Sequence, residues 1–355
     1  MKIGLLIYGS LDTLSGGYLY DRKLVEYLRS RGESVEIISL PWRNYISHLG
    51  DNLRFRLPGG LDLLIQDELN HPSLLKANSL FHQYPIVSLV HHLRSSELHS
   101  RLIRWFYKRV EKQYLSSVDG FIFNSITTKG VVTGLIGEGM PSIIAYPPTD
   151  RFGNPISVQD IKKRGIELGP LKLVFLGNII PRKGLHTLLQ ALNRQDFDFR
   201  LDIIGSLTAD PMYAREMRQM VSDYHLSTKV SFHGHFETQA LNDKLGQSHV
   251  LVVPSSYEGF GIVYLEGMAF GLPAIGTTAG AASEIIRDGQ TGYLINPGDS
   301  VTLATRLQVL SQNRELLTRL SLQALVRYEA QSTWEITAEN IRQFLYRMVH
   351  IKKNA

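Results

Sequence analysis

Two glutamates, Glu258 and Glu266, stand with seven residues between them in the stretch SSYEGFGIVYLEGMAFGLPAIG. The stretch follows HVLVVPS, an apolar run that reads as a strand ending near Pro254. Within it EGFG allows close backbone approach, Ile262, Leu265 and Ala269 mark one apolar face, and Gly271 and Pro273 end the pattern, which predicts a helix starting near Gly261. The N–H groups of its first turn, about Gly261 to Tyr264, would lack intrahelical partners and point beyond the strand end, making an anion site. A carboxylate accepts two hydroxyl hydrogen bonds. Glu258 just before the helix and Glu266 more than a turn inside it therefore suit sugar or ribose hydroxyls beside a phosphate. An isolated pair of glutamates would more often be a helix-start charge and a solvated outer-face residue, so the surrounding residues decide.

The elements that must position this segment alternate in type along the whole chain. KIGLLIY, SVEIISL, LDLLIQD, IVSLVHH and GFIFNS read as strands buried in a sheet, with DRKLVEYLRSRG and SRLIRWFYKRVEKQYLSS as helices between them. From Asp150 to Pro170 the chain turns polar and bears Gly and Pro, and then LKLVFLG, LDIIG, KVSFHG, HVLVVPS, PAIGT and GYLI repeat the rhythm. This is the order of parallel sheets with crossover helices, in two domains. The expected boundaries are 1–150 and 171–333, with a last amphipathic helix from about Trp334 to Ile351 after a Ser-Thr start that can cap it. In open sheets of this kind ligands bind beyond the carboxyl ends of the strands, so the loops that follow strands are where chemistry is expected.

Composition narrows the classes. A chain of 355 residues with 43% apolar and 20% charged residues is that of a folded protein with room for two cores. No cysteine is present, which removes disulfides, thiolate zinc sites and cysteine nucleophiles together and fits a reducing compartment. The apolar run from Ile3 to Tyr8 is short and leads into a Gly-rich turn, so it reads as a buried strand rather than a leader peptide, and no stretch reads as a membrane span. A net charge of +5 suits an anionic partner but is too small for a nucleic-acid binder. SRLIRWFYKRVEKQYL carries Arg101, Arg104, Lys108, Arg109 and Lys112 against one acidic residue, with Trp105, Phe106 and Tyr107 between. It fits equally a helix resting on an anionic membrane and a domain helix with a core face and a solvated basic face.

EGFGIVYLE, followed by GLPAIGTTAGAASEIIRDGQTGYLINPGD, closely resembles the donor-binding segment of glycosyltransferase family 4. The resemblance is strongest from Leu171 to Asp299 and looser in the first half, through Gly16-Gly17, the VHH stretch and YPPTDRF, while TWEITAENIRQFLYRM resembles the family's last helix, which returns to the N-terminal domain. It implies the α/β GT-B architecture: two facing Rossmann-like domains with a central cleft, the first an acceptor domain with helix 334–355 packing back on it, the second binding a nucleotide sugar. It also implies a retaining hexosyltransferase that uses a UDP- or GDP-linked sugar as donor substrate, no cofactor and no metal, and a glycan or lipid-linked acceptor. The expected location is cytoplasmic, with peripheral contact at the inner face of an anionic membrane as an option.

By the same resemblance Glu266 is similar to the glutamate on the donor ribose, Glu258 to the one facing the sugar hydroxyls, and Gly259, Phe260 and Gly261 to the turn whose amides meet sugar and phosphate. Lys183, in GNIIPRKG, matches the lysine that neutralises the diphosphate. A leaving nucleoside diphosphate gathers negative charge as the glycosidic bond breaks, which a fixed cation stabilises. The family usually has arginine directly after the glycine of this loop, where Asn178 stands here, and Arg182 is the cation that could replace it. Gly16 and Gly17 resemble a glycine turn that lets backbone approach the diphosphate or acceptor, and His91 a histidine that touches the transferred sugar. UDP-glucose, UDP-N-acetylglucosamine and GDP-mannose all stay open as donors. The competing classes are an epimerase or phosphorylase of related architecture and a nucleotide-sugar-binding protein without catalysis. A nicotinamide-dependent dehydrogenase is weaker, because no G-x-G-x-x-G follows the first strand.

Overall fold

The computed structural model describes residues 1–13, 15–148 and 156–354. The chain divides into two compact units, Met1–Pro148 with Ser332–Ala355, and Thr149–Gln331. Of the YPPTDRF stretch, Thr149 to Phe152 lie outside the described residues.

The first unit is built on six strands: β1 (Lys2–Tyr8), β2 (Ser34–Leu40), β3 (Leu63–Asp67), β4 (Ile86–Val90), β5 (Gly120–Phe123) and β6 (Ser142–Ile144). They pair in parallel in the order β2-β1-β3-β4-β5-β6. Strands β3, β4 and β5 are buried along their whole length, because helices cover both faces of the sheet and leave no solvent side on which to place polar residues. One face holds Leu24, Val25 and Leu28 of the helix Gly16–Ser30, together with Ala338, Ile341, Phe344 and Leu345 of the last helix, Trp334–Lys353. That last helix starts at Thr333, whose side chain accepts from Ile336 N. Among the described residues no helix is long and apolar enough to cross a membrane.

Gly16 and Gly17 do not form a turn. They open the helix Gly16–Ser30, because Ser15 caps it by accepting from Tyr18 N, and neither glycine has the positive φ that a glycine-only turn requires.

The second unit contains β7 (Leu171–Leu176), β8 (Phe199–Ile204), β9 (Val230–Gly234), β10 (Val250–Val252), β11 (Ala274–Thr277) and β12 (Gly292–Ile295). Their order, β12-β11-β10-β7-β8-β9, is all parallel and is that of dinucleotide-binding sheets, in which the chain reverses direction across the sheet between the first and fourth strands. That switch point lies between β7 and β10. The polar stretch expected to separate two domains contains a helix, Val158–Gly165, that docks into this unit. Its Ile161 is buried, and its Arg164 donates to the carbonyls of Gly246, Phe270 and Gly271.

Candidate functional site

Beyond the carboxyl ends of β7 and β10, two loops meet. The loop after β7 runs from Gly177 to Gly184, and Gly184 takes a left-handed φ of 72° so close to the other loop that a Cβ there would lie 2.1 Å from Pro254 O. The loops are tied together by Ser256 N donating to Arg182 O at 2.8 Å and by Arg182 Nη1 donating to Tyr257 O at 2.9 Å.

This junction brings Lys183 and Glu258 into contact across 75 positions of sequence. Lys183 Nζ lies 2.6 Å from Glu258 Oε1, the same oxygen that accepts from Ser255 Oγ at 2.6 Å, and Arg182 Nη1 stands 3.8 Å from Glu258 Oε2. Burial pushes the Glu258 carboxyl up, but Lys183, Arg182 and the bonds from Lys183 and Ser255 outweigh it and hold it below its ordinary range. Burial lowers Lys183, with Arg182 adding to the fall and Glu258 and Glu266 opposing it. Geometry at 2.6 Å makes this a charge-assisted pair of ammonium and carboxylate. The backbone of Glu258 is fixed as well: Ala281 N donates to Glu258 O at 2.8 Å, and Gly280 approaches so closely that a Cβ would lie 2.1 Å from that oxygen.

The helix after the turn spans Ile262–Met268, with Gly261 capping it at φ 91°. Tyr264 N donates to Gly261 O at 2.9 Å, so the anion site expected of Gly261 to Tyr264 is shorter by one donor, because the first turn tightens on the capping glycine. Glu266 is buried rather than on a solvated face, and Phe260 is buried in the turn. Lys183, Arg182, Glu258 and the Gly259–Gly261 turn thus share one constellation, and Glu266 is near enough to act on the charge of Lys183.

His91 and Gly17 meet in the first unit. His91 follows β4, and a Cβ on Gly17 would lie 3.3 Å from its ring, so the helix start packs directly against the imidazole. His91 Nε2 stands 3.0 Å from Asp21 Oδ1, and Asn124 Nδ2 donates to His91 O at 2.7 Å. His92 pairs instead with Glu97 at 3.0 Å. Two clusters bring three carboxylate or imidazole groups within 4.8 Å, Asp21-Asp67-His91 and Glu68-His71-Glu111. In the first, His91 Nε2 stands against Asp21, and in the second the ring nitrogens of His71 bond Glu68 O at 3.0 Å and Tyr45 Oη at 2.8 Å.

Sequence reasoning overlooked Ser255, Gly280 and Asp21. Ser255 was visible three positions before Glu258, at a spacing that lets a hydroxyl reach back to the carboxylate, and Asp21 stood one turn past the glycine pair. Gly280 had no local signal apart from its place in TTAGAAS.

The fold and the switch-point cluster define a two-unit α/β protein of the GT-B class, whose second unit holds a lysine-glutamate pair where such sheets bind nucleotides. Residues 158–326, within the second unit, match the family described as glycosyl transferases group 1. The chain is 26% identical over 275 residues to a glycogen synthase of Mycobacterium tuberculosis, covering 76% of this chain and 64% of that protein. It is 31% identical over 157 residues to an N-acetyl-alpha-D-glucosaminyl L-malate synthase of Bacillus anthracis, covering 44% of this chain and 40% of that one. It thus spans less than two thirds of these curated relatives. Among solved structures, sucrose-phosphate synthase of Thermosynechococcus elongatus superposes with a TM-score of 0.81 at 20% identity over 99% of both chains. The Anabaena protein HepE in complex with UDP-glucose superposes with a TM-score of 0.75 at 18% identity, over 98% of this chain and 100% of that one.

Proposed function

We propose that this chain is a glycosyltransferase of family 4 type, transferring a hexosyl group with retention from a nucleotide diphosphate sugar to a glycan or lipid-linked acceptor, without a metal. The observation that carries the reading is the partly buried Lys183–Glu258 pair at the switch point of the second sheet. A lysine ammonium has three donors, so Lys183 can keep Glu258 and still meet a diphosphate oxygen. Its fixed charge then stabilises the negative charge that gathers on the leaving diphosphate, the role a metal ion would otherwise fill. Glu258 takes sugar hydroxyls on its second oxygen, Glu266 the ribose hydroxyls, and Gly259–Gly261 brings backbone close to the phosphates. Arg182 serves as the second cation at a loop whose usual arginine position is Asn178. A UDP-linked donor is favoured, since HepE was solved with UDP and with UDP-glucose.

A thermal-shift panel of nucleoside diphosphates and nucleotide sugars, run with and without chelator, tests this, because a ligand that prefers the folded chain raises its stability. UDP or a UDP-sugar is expected to stabilise the chain equally in chelator. No response to any nucleotide, or a response that needs a divalent metal, sinks the reading.

The acceptor side points to a lipid surface. In the helix Arg101–Leu115 only Val110, Glu111, Tyr114 and Leu115 are buried, so the core face covers just its last turns. Its first turns expose Leu102, Ile103, Trp105 and Phe106 beside Arg101, Arg104, Lys108 and Arg109. Apolar side chains flanked by basic ones suit the interface of an anionic membrane, and such contact at the cytoplasmic face fits a lipid-linked acceptor. Flotation with liposomes containing phosphatidylglycerol should recover the wild-type chain and lose the Trp105→Glu variant. Equal recovery with neutral liposomes overturns the lipid reading.

A further inference from the structure

The helix Gly16–Ser30 carries Asp21 into the interior of the first unit, where its side chain is wholly buried. A buried carboxylate is costly unless it is paired. No lysine or arginine reaches Asp21 among the described residues. Its partner is His91, with Nε2 3.0 Å from Oδ1, while Oδ2 has no hydrogen-bond partner among those residues. The imidazole is held from three further directions: Asn124 pins its backbone, Gly17 backs onto one side of the ring, and Tyr20 meets the ring edge to face at 5.5 Å.

The geometry fixes what His91 can offer. An ionised carboxylate only accepts, so Nε2 must carry a proton toward Asp21. A neutral ring would then present Nδ1 as an acceptor. A charged ring presents Nδ1–H as a donor. We propose that Asp21 is a positioning residue that holds His91 as an imidazolium with Nε2 turned inward, so that its Nδ1–H is the hydrogen-bond donor offered to a hydroxyl of the sugar being transferred. The proposal rests on the glycosyltransferase reading for its substrate and on the Asp21–His91 geometry for its chemistry. It assigns His91 a donor's role and removes it from consideration as a general base, since an imidazolium has no lone pair with which to take an acceptor's proton.

The charged groups around the ring agree. His91 is faced by Asp21 from the helix, by Asp67 at the end of β3 and by Glu68 in the turn that follows, all buried. Burial alone would lower the imidazole, but Asp21 above all, with Asp67 and Glu68, raises it to about 9. Asp67 is itself pushed up to about 7 by burial and by Asp21, and Glu68 to about 8 by burial, while Asp21 is the one of the three that stands in hydrogen-bond contact with the ring.

The experiment is a titration of the histidine ring signals of the full chain by two-dimensional NMR, with His91→Gln to assign His91, alongside the pH profile of kcat/KM with a nucleotide sugar. In the wild type His91 should titrate near pH 9. In Asp21→Asn its midpoint should fall by about one pH unit or more, and the alkaline fall of kcat/KM should move with it, while UDP binding stays unchanged. A His91 midpoint near the ordinary imidazole value in the wild type, or one that Asp21→Asn leaves in place, overturns the proposal. If Asp21→Asn does not fold, Asp67→Asn serves, since it leaves the pair intact: an alkaline midpoint retained there supports Asp21, and its loss there overturns it. The titration needs no turnover, so a shifted midpoint in a chain that transfers no sugar would sink the glycosyltransferase reading and leave the Asp21–His91 pair standing.

Discussion

Replacing Lys183 by alanine separates a nucleotide site from a merely structural ion pair. Lys183 Nζ and Glu258 Oε1 are 2.6 Å apart, with the Glu258 side chain buried and that of Lys183 only 12% exposed. At an effective dielectric of about 20, unit charges attract by about 6 kcal/mol at that distance and by about 4 kcal/mol at the separation of Arg182 from Glu258. Removing one partner of a buried pair costs about 3–5 kcal/mol, because the other charge is stranded. Here Glu258 is not stranded entirely, since Arg182 at 3.8 Å and the Ser255 hydroxyl at 2.6 Å remain. The expected loss of folding stability is therefore nearer about 2 kcal/mol. The loss of UDP affinity has a different origin. A hydrogen bond to a charged group contributes about 1.5–3 kcal/mol, which is roughly a 10- to 150-fold rise in Kd. Urea denaturation reads the first quantity and isothermal titration with UDP the second. A Lys183→Ala chain that loses stability but binds UDP as the wild type does refutes the placement of the diphosphate on Lys183, and one that loses affinity without any loss of stability refutes the accounting of the ion pair.

Glu266→Gln keeps the size of the side chain and should weaken UDP binding by roughly tenfold, with little effect on the affinity for pyrophosphate, which has no ribose; equal losses for both ligands would contradict the ribose assignment. Gly280→Ala should cost about 2 kcal/mol or more, from its φ of 77° and the clash with Glu258 O, and should also weaken UDP binding. Gly298→Ala, with the same φ of 77° but open space around it, should cost only about 1 kcal/mol and leave UDP binding alone, as comparative denaturation would show. Stability should fall as pH rises from about 5 to about 9, at up to about 1.4 kcal/mol per pH unit for each group concerned. Glu68 at about 8 and Glu111 at about 7, both raised chiefly by burial, hold protons in the folded chain that the unfolded chain has released. His91, raised to about 9, adds stability that is fully present below the ordinary imidazole value and is lost as pH rises through 9. Glu68→Gln should flatten that decline in denaturation measurements at pH 6 and pH 8.5, and an unchanged slope would show that Glu68 is ionised in the fold.

How far the sequence revealed this arrangement depended on whether the relevant pattern was local. Glu258, the Gly259–Gly261 turn and Glu266 lie in one contiguous strand, turn and helix, so residue types and helical spacing were enough to group them. The contact of Lys183 with Glu258 spans 75 positions and exists because β10 lies beside β7, a fact of strand order that no window of sequence contains. The same holds for Asp21 and His91, 70 positions apart. β6 escaped notice because it is only three half-buried residues at the start of a short apolar run that prolines bound on both sides, and the helix Val158–Gly165 because its one buried aliphatic side chain, Ile161, sits among charged residues whose anchor, Arg164, works through backbone carbonyls.

The helix Arg101–Leu115 shows a different limit. Its apolar residues recur at helical spacing, and that spacing fixes which side of the helix they share but not what lies against that side. In the fold the sheet's flank is covered by the last turns alone, and Trp105, at 63% exposure, is left with water on it. Water is a poor neighbour for an indole and three adjacent aliphatic or aromatic side chains, at about 25 cal/mol for each Å² that could be buried. The surrounding arginines and lysines set the sign of a surface that could cover them. The donor half of the proposed reaction could be read because it is written in backbone turns and paired charges that must sit close together. The acceptor half is written in an uncovered surface, and such a surface acquires meaning only when the fold shows that nothing within its own unit covers it.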